Sequence, residues 1–130
     1  MTSMQAAVLY SGLFVLFFMF LKVNVGRVRV GEKVMFGDGQ NERLQRMQRV
    51  HGNAVEDVPV TLIGLLGLGF LSAPVLLIHI LGIALLISRI LHAAGLGSTS
   101  GASKGRMFGT LGTALVMLVT GAACVWFAVF

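Results

Sequence analysis

The sequence predicts an all-α fold, an integral membrane four-helix bundle, and three observations carry that prediction. Of 130 residues, 56% are hydrophobic and only 12% are charged, so the chain lacks the polar surface that a water-soluble protein of this size presents. Four apolar runs each approach the roughly 20 residues needed to cross a bilayer. The ionisable residues gather at one end of those runs, which marks one face of the membrane.

The first span is expected over about residues 4–25. Its apolar part, Ala6 to Leu21, has no basic residue ahead of it, and Lys22, Arg27, Arg29 and Lys33 follow it. That order is not the one found in a cleaved signal peptide. The second span is expected over about 42–71 as one long helix projecting from the membrane, polar in its early turns and apolar from Val58 to Leu71. Ser72-Ala73-Pro74 makes a turn, because proline lacks a backbone donor and biases its predecessor away from helix. A third span over about 75–95 therefore returns antiparallel. Gly95 to Gly105, rich in Gly and Ser, reads as a connection, and a fourth span follows over about 106–129. The chain is thus read as a single transmembrane domain. Small residues such as Gly64, Gly82, Gly109 and Gly112 suit close helix packing in lipid, where apolar area alone does not drive association.

A formal charge of +5 and a pI near 10.4 suit a nucleic-acid binder on charge alone. The basic residues, however, flank hydrophobic spans and have no interleaved aromatic platform, so nucleic acid is not an expected partner. Topology explains them better. The first and third connections hold Lys22, Arg27, Arg29, Lys33, Arg43, Lys104 and Arg106, and the middle turn holds none, so those two connections are expected on the cytoplasmic side. Both termini then lie on the opposite side, as in a multi-pass protein of a bacterial inner membrane. The single cysteine, Cys124, excludes an intrachain disulfide and reads as a small core residue. His79, near the middle turn, reads as a packing or interfacial residue. His51 and His92 lack a third His or Cys nearby, so no metal site is expected.

The second helix carries a polar stripe. At about 100° per residue, Arg46, Arg49, Asn53 and Glu56 fall within a quarter of the circumference. Glu56 and Asn53 run into the hydrophobic part, where an unpaired carboxylate costs several kcal/mol unless it meets a partner or water. On the third helix, Arg89 and His92 share a face near the same end. An Arg89 to Glu56 ion pair is the plainest use of these residues, with Asp57 directed elsewhere on the same helix. Arg29, Arg46, Arg49, Arg89 and Arg106 nevertheless outnumber that one acid. Surplus guanidinium suits an anionic guest. Because arginine grips carboxylates through a planar fork and Glu56 with Asn53 can receive an ammonium or peptide groups, a small zwitterionic peptide matches the inventory. Arg43 and Lys33 read instead as a solvated or headgroup-facing basic surface.

The run Arg46-Met-Gln-Arg49-Val-His-Gly-Asn53-Ala-Val-Glu56-Asp-Val-Pro59 resembles the R-x-x-R-x-x-x-N-x-x-E-x-x-P signature of the membrane-associated proteins in eicosanoid and glutathione metabolism. Microsomal glutathione transferases, the leukotriene-forming synthase and microsomal prostaglandin synthase make up that family. Arg89-Ile-Leu-His92 is similar to the R-x-x-H of its third helix, and Gly26-Arg-Val-Arg29 resembles the basic exit of its first. The resemblance implies a homotrimer that holds glutathione as co-substrate between neighbouring subunits, near the cytosolic face. Carried over by position, it implies that Arg49, Asn53, Glu56 and Arg89 grip the peptide, with Arg29, Arg46, His51 and His92 beside them. Arg106 resembles the arginine that faces the thiol. A thiol with a solution pKa near 8.5 is mostly protonated at neutral pH, and a guanidinium aided by the first amide groups of helix four favours the anion. The lipophilic co-substrate arrives from the lipid bilayer. Two departures stand out: Leu96 lies where active members often carry tyrosines, and Gly52 stands where the prostaglandin branch has an arginine.

The expected function is that of a glutathione-dependent transferase or peroxidase acting on lipophilic small molecules. The alternative within the family is a non-catalytic protein that binds lipid or glutathione. A small multidrug exporter ranks last, because such proteins place an essential carboxylate in the first helix and this chain has none there.

Overall fold

The computed structural model describes residues 1–130 and contains four helices: α1 (Ser3–Gly31), α2 (Glu42–Phe70), α3 (Val75–Ser98) and α4 (Lys104–Val129). All four are long and apolar enough to cross a membrane, and there are no strands. Only 28 of 130 residues are buried, so the outer surface is itself apolar, as it must be where lipid rather than water is the solvent. Both α1 and α2 have 29 residues, about 43 Å at 1.5 Å per residue, and therefore overshoot a hydrocarbon core of roughly 30 Å. The overshoot of α1 runs from Lys22 to Gly31 and carries the basic exit of that helix.

Local chemistry sets the helix ends. Thr2 and Gln5 form a capping box at the start of α1, Asn41 caps α2 through Leu44 N–H at 2.9 Å, and Ser103 caps α4 through Arg106 N–H at 3.2 Å. The C-terminus of α2 closes with Ser72 in the left-handed region (φ 58°), while Ala73 N–H reaches Leu68 C=O at 3.0 Å. Pro74 then starts α3 where its missing N–H is harmless. Pro59, by contrast, sits inside α2 without ending it. The first connection holds itself together: Arg29 Nη1 donates to Val34 C=O at 3.2 Å and Gly37 C=O at 2.9 Å.

The helices form two hairpins, α1 with α2 and α3 with α4, joined chiefly through α2 and α3; α1 and α4 do not touch. The larger core, built around Phe14, Val58, Leu65, Leu68, Ile78 and Leu85, fills the middle and the end opposite the charges. Only Leu21, Val50, Ala54 and Leu96 form a second buried cluster at the charged end. Near the middle turn, Tyr10 packs edge-on against His79, its hydroxyl 2.8 Å from His79 Nδ1, and its ring lies over Gly82. Cys124 Sγ donates to Gly64 C=O at 3.3 Å, which ties α4 to α2.

The closest helix approach is between α3 and α4, where Gly95 on α3 faces Gly105 on α4, and Gly109 and Gly112 of α4 lie against Ser88 and His92 of α3. A Cβ on Gly109 would lie 2.5 Å from His92 N and Ser88 O, both backbone atoms that have no room to move aside. We expect Gly109→Ala to force the two helices apart and to cost about 1 to 3 kcal/mol, read as a lower unfolding temperature in detergent. Gly121→Ala, which meets nothing within 4 Å, is the matched control and should leave that temperature unchanged.

Candidate functional site

The tight α3–α4 contact brings the N-terminus of α4 against the polar turns of α2. Glu42, Arg46, Arg49, Leu96, Ser100 and Arg106 line one cleft of about 260 Å³ between α2, α3 and α4. Arg46 Nη1 donates to Ser100 Oγ at 3.0 Å and lies 3.4 Å from Glu42 Oε2. Three guanidinium groups therefore face one carboxylate. The amide of Arg106 is already bonded to the Ser103 hydroxyl, so the side chain of Arg106, rather than its backbone, is what α4 offers the cleft.

Asn53 and Glu56 belong to the same stripe but not to the cleft lining. Arg49 Nη2 donates to Asn53 Oδ1 at 3.1 Å, and Arg49 Nη1 stands 3.9 Å from Glu56 Oε1, with both side chains more than 60% exposed. Further along the same helical face come Val60 and Ile63, also exposed. One side of α2, polar near the charged end and apolar beyond, thus has no covering helix within the chain.

The expected Arg89 to Glu56 pair is replaced by a different one. Arg89 Nη1 donates to Asp57 Oδ2 at 3.0 Å. The single-residue shift corresponds to a rotation of about 100° about α2, which turns Asp57 toward α3 and Glu56 outward. Arg89 is 2% exposed and its Nη2 stands 3.4 Å from His92 Nδ1, so these groups form a buried knot between α2 and α3. Among the remaining sequence candidates, Arg29 is bound to carbonyls of the first connection. His51, half-buried, makes no side-chain hydrogen bond and projects from α2 roughly opposite Arg49.

Two contributors escaped sequence reasoning. Asp57 is adjacent to Glu56 and at the same depth, so only the rotation of α2 distinguishes them. Ser100 lies in the third connection, where its composition signalled a loop and nothing more. Leu96, noted in the sequence as a departure, gives the cleft its apolar wall.

The family model described as MAPEG family matches residues 7–126. Among characterised proteins, the chain is similar to the inner membrane protein YecN of Escherichia coli, from strain K12 and from the O6:H1 strain CFT073. It is 32% identical to each over 91 residues, which is 70% of this chain and 70% of theirs. No solved structure matches it. With four apolar spans, the R-x-x-R-x-x-x-N-x-x-E-x-x-P run on α2 and a family match along nearly its whole length, this multi-pass membrane protein belongs to the MAPEG family, the membrane-associated proteins of eicosanoid and glutathione metabolism.

Proposed function

We propose that this protein is a glutathione-dependent transferase or peroxidase acting on lipophilic electrophiles from the bilayer. The observation that carries the reading is the cleft in which Arg46, Arg49 and Arg106 meet a single carboxylate, Glu42. Net positive charge in an open cleft between helices calls for an anionic guest, and the carboxylates and thiolate of glutathione supply it. In conjugation, the thiolate forms a carbon–sulfur bond and expels the leaving group of the electrophile. In peroxide reduction, two glutathione molecules are oxidised to the disulfide while the hydroperoxide becomes an alcohol and water. Arg106 holds the thiolate in both.

We further propose that the working unit is a homotrimer. A cleft of about 260 Å³ is smaller than the roughly 300 Å³ at which ligand pockets begin, which supports completion of the site by a second subunit. The uncovered face of α2 supports the same reading, because Glu56 in a spanning helix needs water or protein rather than lipid around it. The inner membrane location of the similar YecN supports an inner membrane for this chain, with the basic first and third connections on the cytoplasmic side.

Titration calorimetry in detergent is expected to give a glutathione binding signal at millimolar concentration or below. Arg49→Ala or Glu56→Gln should weaken it by about 1 to 3 kcal/mol through loss of a charged hydrogen bond. No heat at millimolar glutathione would remove the reading. One observation favours a second function, glutathione or lipid binding without chemistry: Leu96, which can neither donate nor accept a hydrogen bond, occupies the cleft wall. Turnover of a chloronitrobenzene-type electrophile or a lipid hydroperoxide separates the two.

A further inference from the structure

On the other side of the bundle, α1 and α3 touch near the middle turn, where Tyr10 lies against His79 and Gly82, and splay apart toward the charged end. The splay leaves an apolar wedge of about 400 Å³. Phe17 and Phe20 of α1 and Ile90 and Ala94 of α3 form its walls, and Leu21 and Val50 close its floor. Directly above it lies a second void of about 360 Å³, bordered by Arg27 of α1 and by Arg43 and Arg46 of α2. Asn24 and Met47 line both voids, so the two are one continuous groove, apolar within the spans and basic at its mouth.

No carboxylate borders either void. Glu42, the nearest acid in sequence, is 3.4 Å from Arg46 and leaves Arg27 and Arg43 without an ion pair or a hydrogen bond. Arg29, which shares the basic exit of α1, is consumed by the carbonyls of the first connection. Two uncompensated guanidinium groups from different helices therefore stand over a slot into which an alkyl chain fits. Charge placed only to orient the spans needs no such slot beneath it. From Phe17 to Asn24 the wedge runs about 10 Å along α1, enough for the upper part of one acyl chain and too short for a whole lipid.

From this geometry we infer that the α1–α3 groove is a binding site for an anionic phospholipid of the leaflet on the charged side. One acyl chain enters between Phe20 and Ala94, and the phosphate is held by Arg27 and Arg43 with Arg46 behind them. The site is separate from the α2–α3–α4 cleft, and the two share only Arg46. The variants that test it leave Arg46 in place, so its failure and the failure of glutathione binding are told apart.

The test is native mass spectrometry of the purified full-length protein in detergent, with dioctanoyl phosphatidylglycerol and dioctanoyl phosphatidylcholine compared at equal concentration. Retention of the anionic lipid should exceed that of the zwitterionic one by about 25-fold, about fivefold for each arginine, and the Arg27→Gln, Arg43→Gln double variant should abolish the difference. Ala94→Trp, at an exposed position that fills the wedge, should lower retention of both lipids several-fold while leaving glutathione binding as it was. A phosphatidylglycerol carrying a photoreactive group in its acyl chain should label residues 17–24 and 90–94, a readout that needs no variant to fold. Equal retention of the two lipids, displacement of phosphatidylglycerol by millimolar inorganic phosphate, or labelling confined to α4 would each overturn the assignment. The first would mean a greasy surface without headgroup recognition. The second would mean a basic patch that takes any anion.

Discussion

Replacing Asp57 by alanine is expected to destabilise the protein by about 3 kcal/mol. The partner left behind, Arg89, is 2% exposed, and its only acidic contact is Asp57 Oδ2 at 3.0 Å. Removing one member of a buried pair costs roughly 3 to 5 kcal/mol because an uncompensated charge remains; Asp57, itself 41% exposed, puts this case at the low end. Against a total stability of about 5 to 15 kcal/mol that is a large share. Glu56→Ala is the informative comparison. Its pair with Arg49 is long, at 3.9 Å, and lies on a face of α2 that no other helix of the chain covers, so its loss should cost less than about 1 kcal/mol in the stability of the single bundle while weakening glutathione binding. Thermal unfolding of the two variants in the same detergent checks the ranking. If Glu56→Ala proves the more damaging, Asp57 is not the partner that holds α2 to α3.

Arg106→Ala is expected to lower turnover about 10²-fold while changing glutathione affinity less than about tenfold. The reason is where each interaction acts. The peptide carboxylates can be gripped by Arg46 and Arg49 from α2, whereas the proposed thiolate depends on the α4 side chain, and a lost donor to a reacting anion typically costs at least this much in rate. Ultraviolet absorbance of bound thiolate gives a second reading that does not require turnover: it should be present with the native protein and absent with Arg106→Ala. Arg106→Lys keeps the charge but not the planar fork and should recover part of the signal. A variant that loses binding and keeps its rate per bound glutathione would assign Arg106 to gripping the peptide instead.

The membrane class, the four spans and the family were legible in the chain because each rests on a one-dimensional pattern. Apolar runs of span length, Pro74 at a turn and Ser103 before an apolar run act locally, through a few residues in sequence. The polar stripe on α2 was legible for the same reason, since 100° per residue places Arg46, Arg49, Asn53 and Glu56 together whatever surrounds them. Depth in the membrane was also readable. Asp57 lies 13 residues before the end of α2 and Arg89 lies 14 after the start of α3, about 20 Å from their shared turn in both cases.

Depth and periodicity nevertheless leave each helix free to rotate about its own axis. Only the packed structure decided that rotation, and with it the choice of Asp57 over Glu56 as the partner of Arg89, the commitment of Arg29 to the first connection, and the arrival of Ser100 beside Arg46. The physical reason is that the rotation of α2 is set by contacts distant in sequence, such as Cys124 with Gly64, and the crossing of α4 over α3 by the absence of side chains at Gly95, Gly105 and Gly109. Position along each helix set which residues could be charged partners at a given depth. Tertiary packing determined which of them met.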